Sequence, residues 1–151
     1  MAAQLTFDSD VFRSFAFYAT ICVVKMMLMS LYTARFRIGK KVFENPEDCK
    51  GQKRDGRPVQ ISKDEDVERV RRNHQNDIEN IIPFVLLGFV YVLTGPAVSA
   101  ALTHFRVFTA SRIIHTLAYQ IPIPQPSRAF SFLVGLIINM SMAVQIIIYA
   151  A

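Results

Sequence analysis

Apolar residues dominate the chain from about Val11 to Ala34, with Lys25 as the charge in the middle of the run. A helix needs roughly 20 apolar residues to cross ~30 Å of hydrocarbon, so this run can span if Lys25 is buried against protein or snorkels. Asp8 and Asp10 stand where a cleavable signal peptide would be basic, so a signal anchor is expected instead. A second charge-free stretch, Asn80 to Thr103, is divided by Gly95-Pro96, a turn signal. It predicts one helix ending near Thr94 and another from about Ala97 to Tyr119. Pro122, Pro124 and Pro126 end the latter, because alternating prolines remove backbone donors and disfavour the helical region before them. Ala129 to Ala151 is a final run of 23 uncharged residues.

Between the first two runs, Gly39 to Lys63 contains Pro46, Gly51, Gly56 and Pro58 and reads as a loop. Ser62-Lys63-Asp64-Glu65 reads as a capping box with acids in the first turn, so a helix should begin there and meet no breaker before Pro83. The expected architecture is an all-α integral membrane protein of a single domain, residues 1–151. It is a four-transmembrane-helix bundle with helices at about 11–36, 63–94, 97–120 and 128–150 and a cytosolic loop at 37–62. Helix two extends into the cytosol, and Pro83 is absorbed by neighbouring helices.

Charge placement supports this reading and sets an orientation. The net charge of +5 would suit a nucleic-acid binder, but twelve of the 17 Lys and Arg lie between Arg35 and Arg72. From Asn80 onward there is no Asp or Glu, and only Arg106, Arg112 and Arg128 carry formal charge. A basic loop between spans belongs in the cytosol, which puts both termini on the lumenal side and the proline loop near Arg128 on the cytosolic side. A 52% hydrophobic composition excludes a disordered chain. Two cysteines, with no CxxC or Cys/His cluster, give neither a disulfide scaffold nor a zinc site, so no metal is expected. Cys22 and Cys49 fall at opposite depths; Cys22 reads as a small buried hydrophobe. Lys25 is read equally as a structural or a binding lysine.

The polar residues nearest the bilayer form two patterns. Residues 80–94 would cover only about 22 Å at 1.5 Å per residue, so the bilayer reaches back toward Asn76 or Arg72. At about 100° per residue, Arg71, Arg72, Gln75, Asn76 and Glu79 share one stripe, which at this depth should face other helices or a wet cavity. On the third helix Arg112, His115 and Tyr119 share a face, extended by His104 and Phe108. With Arg37 and Arg128 near helix ends, these groups predict an interhelical pocket rich in positive charge. It would suit a small anionic ligand that also carries an amine for Glu79 to receive.

The residues in these patterns resemble the MAPEG superfamily, membrane-associated proteins of eicosanoid and glutathione metabolism, and most of all its type 1 microsomal glutathione transferases. The resemblance is carried by Lys25 to Ser30, Lys41-Val42-Phe43-Glu44-Asn45-Pro46-Glu47-Asp48-Cys49, Val67 to Phe84 and His104-Phe105-Arg106. It continues through Arg112 to Tyr119 and Pro124-Gln125-Pro126-Ser127-Arg128. It implies a trimeric four-helix bundle of the endoplasmic reticulum membrane, also found in the mitochondrial outer membrane, with glutathione as co-substrate between neighbouring subunits. By position it implies glutathione contacts at Arg37, Arg71, Arg72, His74, Glu79 and Tyr119, with Asn76, Arg112 and His115 nearby. Arg128 would be the catalytic arginine beside the sulfur, and Cys49 a regulatory thiol whose modification raises activity. The implied activity is glutathione transfer to lipophilic electrophiles, with glutathione-dependent reduction of lipid hydroperoxides.

Two positions depart from the family pattern. Asn73 stands where the family commonly has alanine, on the far side of the stripe, where the change should be tolerated. Ala129 follows Arg128 where the prostaglandin E synthase branch has a serine, which counts against that isomerase as the main activity. The Asn45-Pro46-Glu47-Asp48 stretch is shared with that branch and does not separate the two. A non-catalytic lipid-binding member of the same bundle would bind without turnover. A small four-helix drug transporter would need a carboxylate in helix one, where this chain offers Lys25.

Overall fold

The computed structural model describes residues 5–151; the first four residues of the expected domain lie outside the described residues. Four long helices form the body: α1 (Asp10–Lys40), α3 (Glu65–Leu93), α4 (Val98–Gln120) and α5 (Ser127–Ala150). The connection between α1 and α3 holds a four-residue helix, α2 (Pro46–Cys49), and a hairpin of two-residue strands, β1 (Lys53–Arg54) and β2 (Arg57–Pro58). The apolar pattern of the chain signals neither.

Two boundaries differ from expectation for identifiable reasons. Helix α1 runs on through Gly39 to Lys40, because Lys41 takes the left-handed position (φ 51°). The amide of Val42 then reaches back to the Arg37 carbonyl, and the Val42 side chain is buried. At the start of α3 the cap is Asp64, not Ser62. Its carboxylate accepts from the amides of Asp66 and Val67, and a carboxylate also complements the positive end of the helix. Helix α3 passes Pro83 without a break, and in that turn Asn139 of α5 donates to the Asn80 carbonyl.

The core is aromatic. Phe84 of α3 stacks on Phe108 of α4 with centroids 3.9 Å apart, and Phe15 of α1 meets both Phe84 and Phe105. Gly88 makes that approach possible: a Cβ there would lie 2.5 Å from the Phe15 ring. Toward the other end of the bundle His104 is committed to Ser141 Oγ (2.9 Å) and Tyr91 donates to Gln145, a satisfied polar cluster away from the predicted pocket.

The outer faces are apolar. Leu28, Leu31, Leu86, Phe130, Ile147 and Ile148 are among many large hydrophobic side chains left exposed. Helices α1, α3 and α5 are long and apolar enough to cross a membrane; α4, with His104, Arg106, Arg112 and His115, is not by composition. The protein is a helical membrane protein, with three such helices among the described residues.

Candidate functional site

The predicted stripe on α3 is the wall of a real cleft. Arg71, Arg72, Gln75, Asn76 and Glu79 line it together with Tyr119 from α4, enclosing about 350 Å³. Helical spacing puts the five α3 residues on one face, while Val70, Asn73, Asp77 and Asn80 turn inward. Arg128, at the start of α5, lies over the Tyr119 ring with its guanidinium carbon 4.8 Å from the centroid, and its buried Nε has no partner among the described residues. His115 stacks obliquely on the same tyrosine, with centroids 5.1 Å apart.

Within the cleft the acids are few. Glu79 accepts from Gln75 Nε2 at 3.1 Å, Arg71 pairs with Glu68 at 2.6 Å, and Arg72 is 3.9 Å from Glu65. Arg71 and Arg72 remain mostly exposed, so these pairings leave both guanidinium groups reachable by an anion. Planar donor forks suit carboxylates, and a carboxylate acceptor suits an amine.

Beneath the cleft lies a charge cluster of which the sequence reading had only the cations. Asp77, fully buried, accepts from Lys25 Nζ of α1 at 2.5 Å and from Arg112 Nη2 of α4 at 3.1 Å. The same Nη2 is 2.7 Å from Asn76 Oδ1 and 3.1 Å from His115 Nδ1, whereas Nε and Nη1 of Arg112 have no partner among the described residues. Lys25 is therefore a structural lysine, and Arg112 lies under the cleft rather than in it. Taking charges out of water costs several kcal/mol per ion, so Asp77 is what allows two cations into the bundle. A signal for it existed: Lys25 and Arg112 sit in apolar helices, and Asp77 and Glu79 are the acids nearest them along α3.

The other predicted residues are placed elsewhere. His74 is on α3 but outside the cleft, about 200° around the helix from Arg72. Arg37, near the end of α1, is 3.8 Å from Asp48 and also outside it. Cys49 ends α2 and is partly exposed beside a separate loop cleft shared with Pro46, Lys50 and Pro58; both cysteines are free. Cys22 is buried against Thr109. Asn73, on the far side of the stripe, is fully buried, with neither side-chain polar atom paired among the described residues. A larger cleft of about 570 Å³ beside Lys41, Arg54 and Arg57 holds none of the predicted residues.

A membrane helix bundle with a basic cleft between α3 and α4 defines the class, and the family follows from comparison with known proteins. The family model described as the MAPEG family matches residues 15–148, and the chain belongs to that family. It is 52% identical to microsomal glutathione S-transferase 1 of Homo sapiens over 141 residues, 93% of this chain and 91% of that protein. The Mus musculus protein of the same name is 50% identical over the same shares. Prostaglandin E synthase of Homo sapiens is 39% identical over 150 residues, 99% of this chain and 97% of that protein.

Proposed function

We propose that the protein is a membrane-embedded glutathione transferase that joins the glutathione thiolate to lipophilic electrophiles. The cleft supports this most directly, with Arg71, Arg72, Gln75, Asn76 and Glu79 facing Tyr119 and with Arg128 seated over the tyrosine ring. Its contents match the tripeptide: cationic forks for two carboxylates and Glu79 for the amine. The relatives at about half identity supply the name of the co-substrate.

The thiol of glutathione, with a pKa of about 8.5, is only a few per cent ionised at neutral pH. Arg128 is the group assigned to favour the thiolate; lowering the pKa by ~2 units takes about 2.7 kcal/mol of differential interaction. The thiolate sulfur then attacks the electrophilic carbon, and the leaving group departs with its electron pair. With a lipid hydroperoxide, two glutathione molecules supply the electrons, yielding the alcohol, water and the disulfide. No metal enters either reaction. Ala129 has no hydroxyl to offer beside Arg128, so the isomerase chemistry of the prostaglandin branch is not assigned.

In this reading α4 is a fourth span, its Arg112 and His115 shielded inside the bundle, and α3 extends from the membrane into the cytosol. Lysine and arginine bias favours a cytosolic α1–α3 connection with the termini on the opposite face, and the family resemblance favours the endoplasmic reticulum membrane, with the mitochondrial outer membrane as a second site. The assembly is a homotrimer, with Arg37 and His74 completing the site of a neighbouring subunit. Cys49 is the regulatory thiol.

Ultraviolet thiolate absorbance on adding glutathione to detergent-purified protein, followed by turnover of 1-chloro-2,4-dinitrobenzene, tests the function. Both signals are expected, and Arg128→Ala should cut thiolate formation about tenfold or more. Folded protein that gives neither signal would overturn the reading. Cys49→Ala should keep basal turnover and lose activation by thiol-modifying reagents; activation that persists removes Cys49 from this role.

A further inference from the structure

Arg112 settles two ambiguities that an amide and an imidazole ordinarily leave open. A guanidinium only donates hydrogen bonds. The group 2.7 Å from its Nη2 must therefore be the oxygen of Asn76, and the His115 Nδ1 at 3.1 Å must present a lone pair. The two Nη2 hydrogens are shared among Asn76, Asp77 and His115, so an N–H at any of these positions would face another N–H. With Oδ1 committed inward, Asn76 has only Nδ2 left to offer the cleft it lines, and Nδ2 has no acceptor among the described residues. His115 is correspondingly neutral, with its proton on Nε2.

Arg112 can do this only while it is held. Asp77, with no exposed surface, is its carboxylate partner and takes Lys25 on the other oxygen, so α1, α3 and α4 converge on one residue. We propose that Asp77 is a positioning residue for glutathione binding. Acting through Arg112, it fixes Asn76 as a hydrogen-bond donor toward an acceptor of the tripeptide and fixes His115 in the Nε2–H form. Asp77 itself touches no substrate. The inference rests on the glutathione reading of the cleft.

The test measures equilibrium glutathione binding to the detergent-purified protein, and nitrogen NMR of isotope-labelled histidine in the ligand-free protein. His115 is assigned among the three histidines by substituting His74 and His104. In the wild type, His115 should be the Nε2–H tautomer. Asp77→Asn should mix the tautomers and weaken glutathione binding about tenfold to a hundredfold, the range expected for misdirecting one hydrogen bond to a charged group. If Asp77→Asn does not fold, Asn76→Asp serves instead. It keeps the ion pair and turns an acceptor toward the cleft, and it should weaken binding by a similar factor. Wild-type protein that binds glutathione while a folded variant binds equally well overturns the proposal and leaves the functional reading intact. An Nδ1–H tautomer in the wild type overturns it as well. Wild-type protein that binds no glutathione overturns both.

Discussion

Asn73 is a carboxamide with no exposed surface and, among the described residues, no partner for either Nδ2 or Oδ1. Each unsatisfied polar group costs roughly 1–3 kcal/mol, and two of them outweigh the packing that the three heavy atoms beyond Cβ return. Asn73→Ala is therefore expected to stabilise the protein by about 1 kcal/mol, raising the thermal midpoint in detergent by about 3 °C. A lowered midpoint would mean that the amide has a partner in the membrane-embedded assembly. Helical periodicity was enough to place Asn73 on the side opposite Arg71 and Arg72, but not to say whether that side meets lipid, water or protein. The same limit applied to Asp77, one step from the stripe. Its importance comes from Lys25 and Arg112, 52 positions before and 35 after it, and only packing brings the three together. The stripe itself was legible because all five of its members lie within three turns of one helix.

At the scale of elements, the long helices were legible because each holds a run of apolar residues bounded by proline, glycine or a cap, which in α3 follows a polar first half opened by acids. Their ends were less so, since a capping choice turns on contacts from other elements. Asp64 displaced Ser62 as the cap of α3 while also accepting from Lys40 Nζ at 2.8 Å, and Lys40 pairs with Asp66 too. This clasp ties the end of α1 to the start of α3 across the loop. The Lys40 hydrogen bond, helped by the amides of Val67 and Asp66, holds the Asp64 carboxyl below its ordinary value. A depressed folded-state pKa gives stability that is present above the unfolded value of about 3.9 and is lost as pH falls through the folded one. Protection of the amides in the first turn of α3, measured against their intrinsic exchange rates, should thus be high at neutral pH and fall below about pH 4. Lys40→Met should lower that protection already at neutral pH. Protection in that variant as high as in the wild type would remove the clasp.

For the whole molecule, one subunit holds two incomplete sets of the expected residues. Arg72 lines the α3–α4 cleft beside Tyr119, on which Arg128 is seated, whereas His74 points away from that cleft and Arg37 sits at the end of α1. A single helix cannot turn Arg72 and His74 toward the same ligand, because two residues apart on a helix is about 200°. In the proposed homotrimer a second copy can, by bringing its own Arg37 and His74 against the cleft. This gives a test that needs no structure of the assembly. Two variants, Arg37→Ala with His74→Ala and Arg72→Ala with Arg128→Ala, should each be inactive alone. Coexpressed in equal amounts, they should recover about a quarter of wild-type turnover. In the proposed homotrimer, three-quarters of randomly mixed assemblies contain both chains, and each of those has one of its three interfaces intact. If every site were built within one chain, every site in the mixture would carry a damaged set, and the coexpressed pair would be as inactive as either parent.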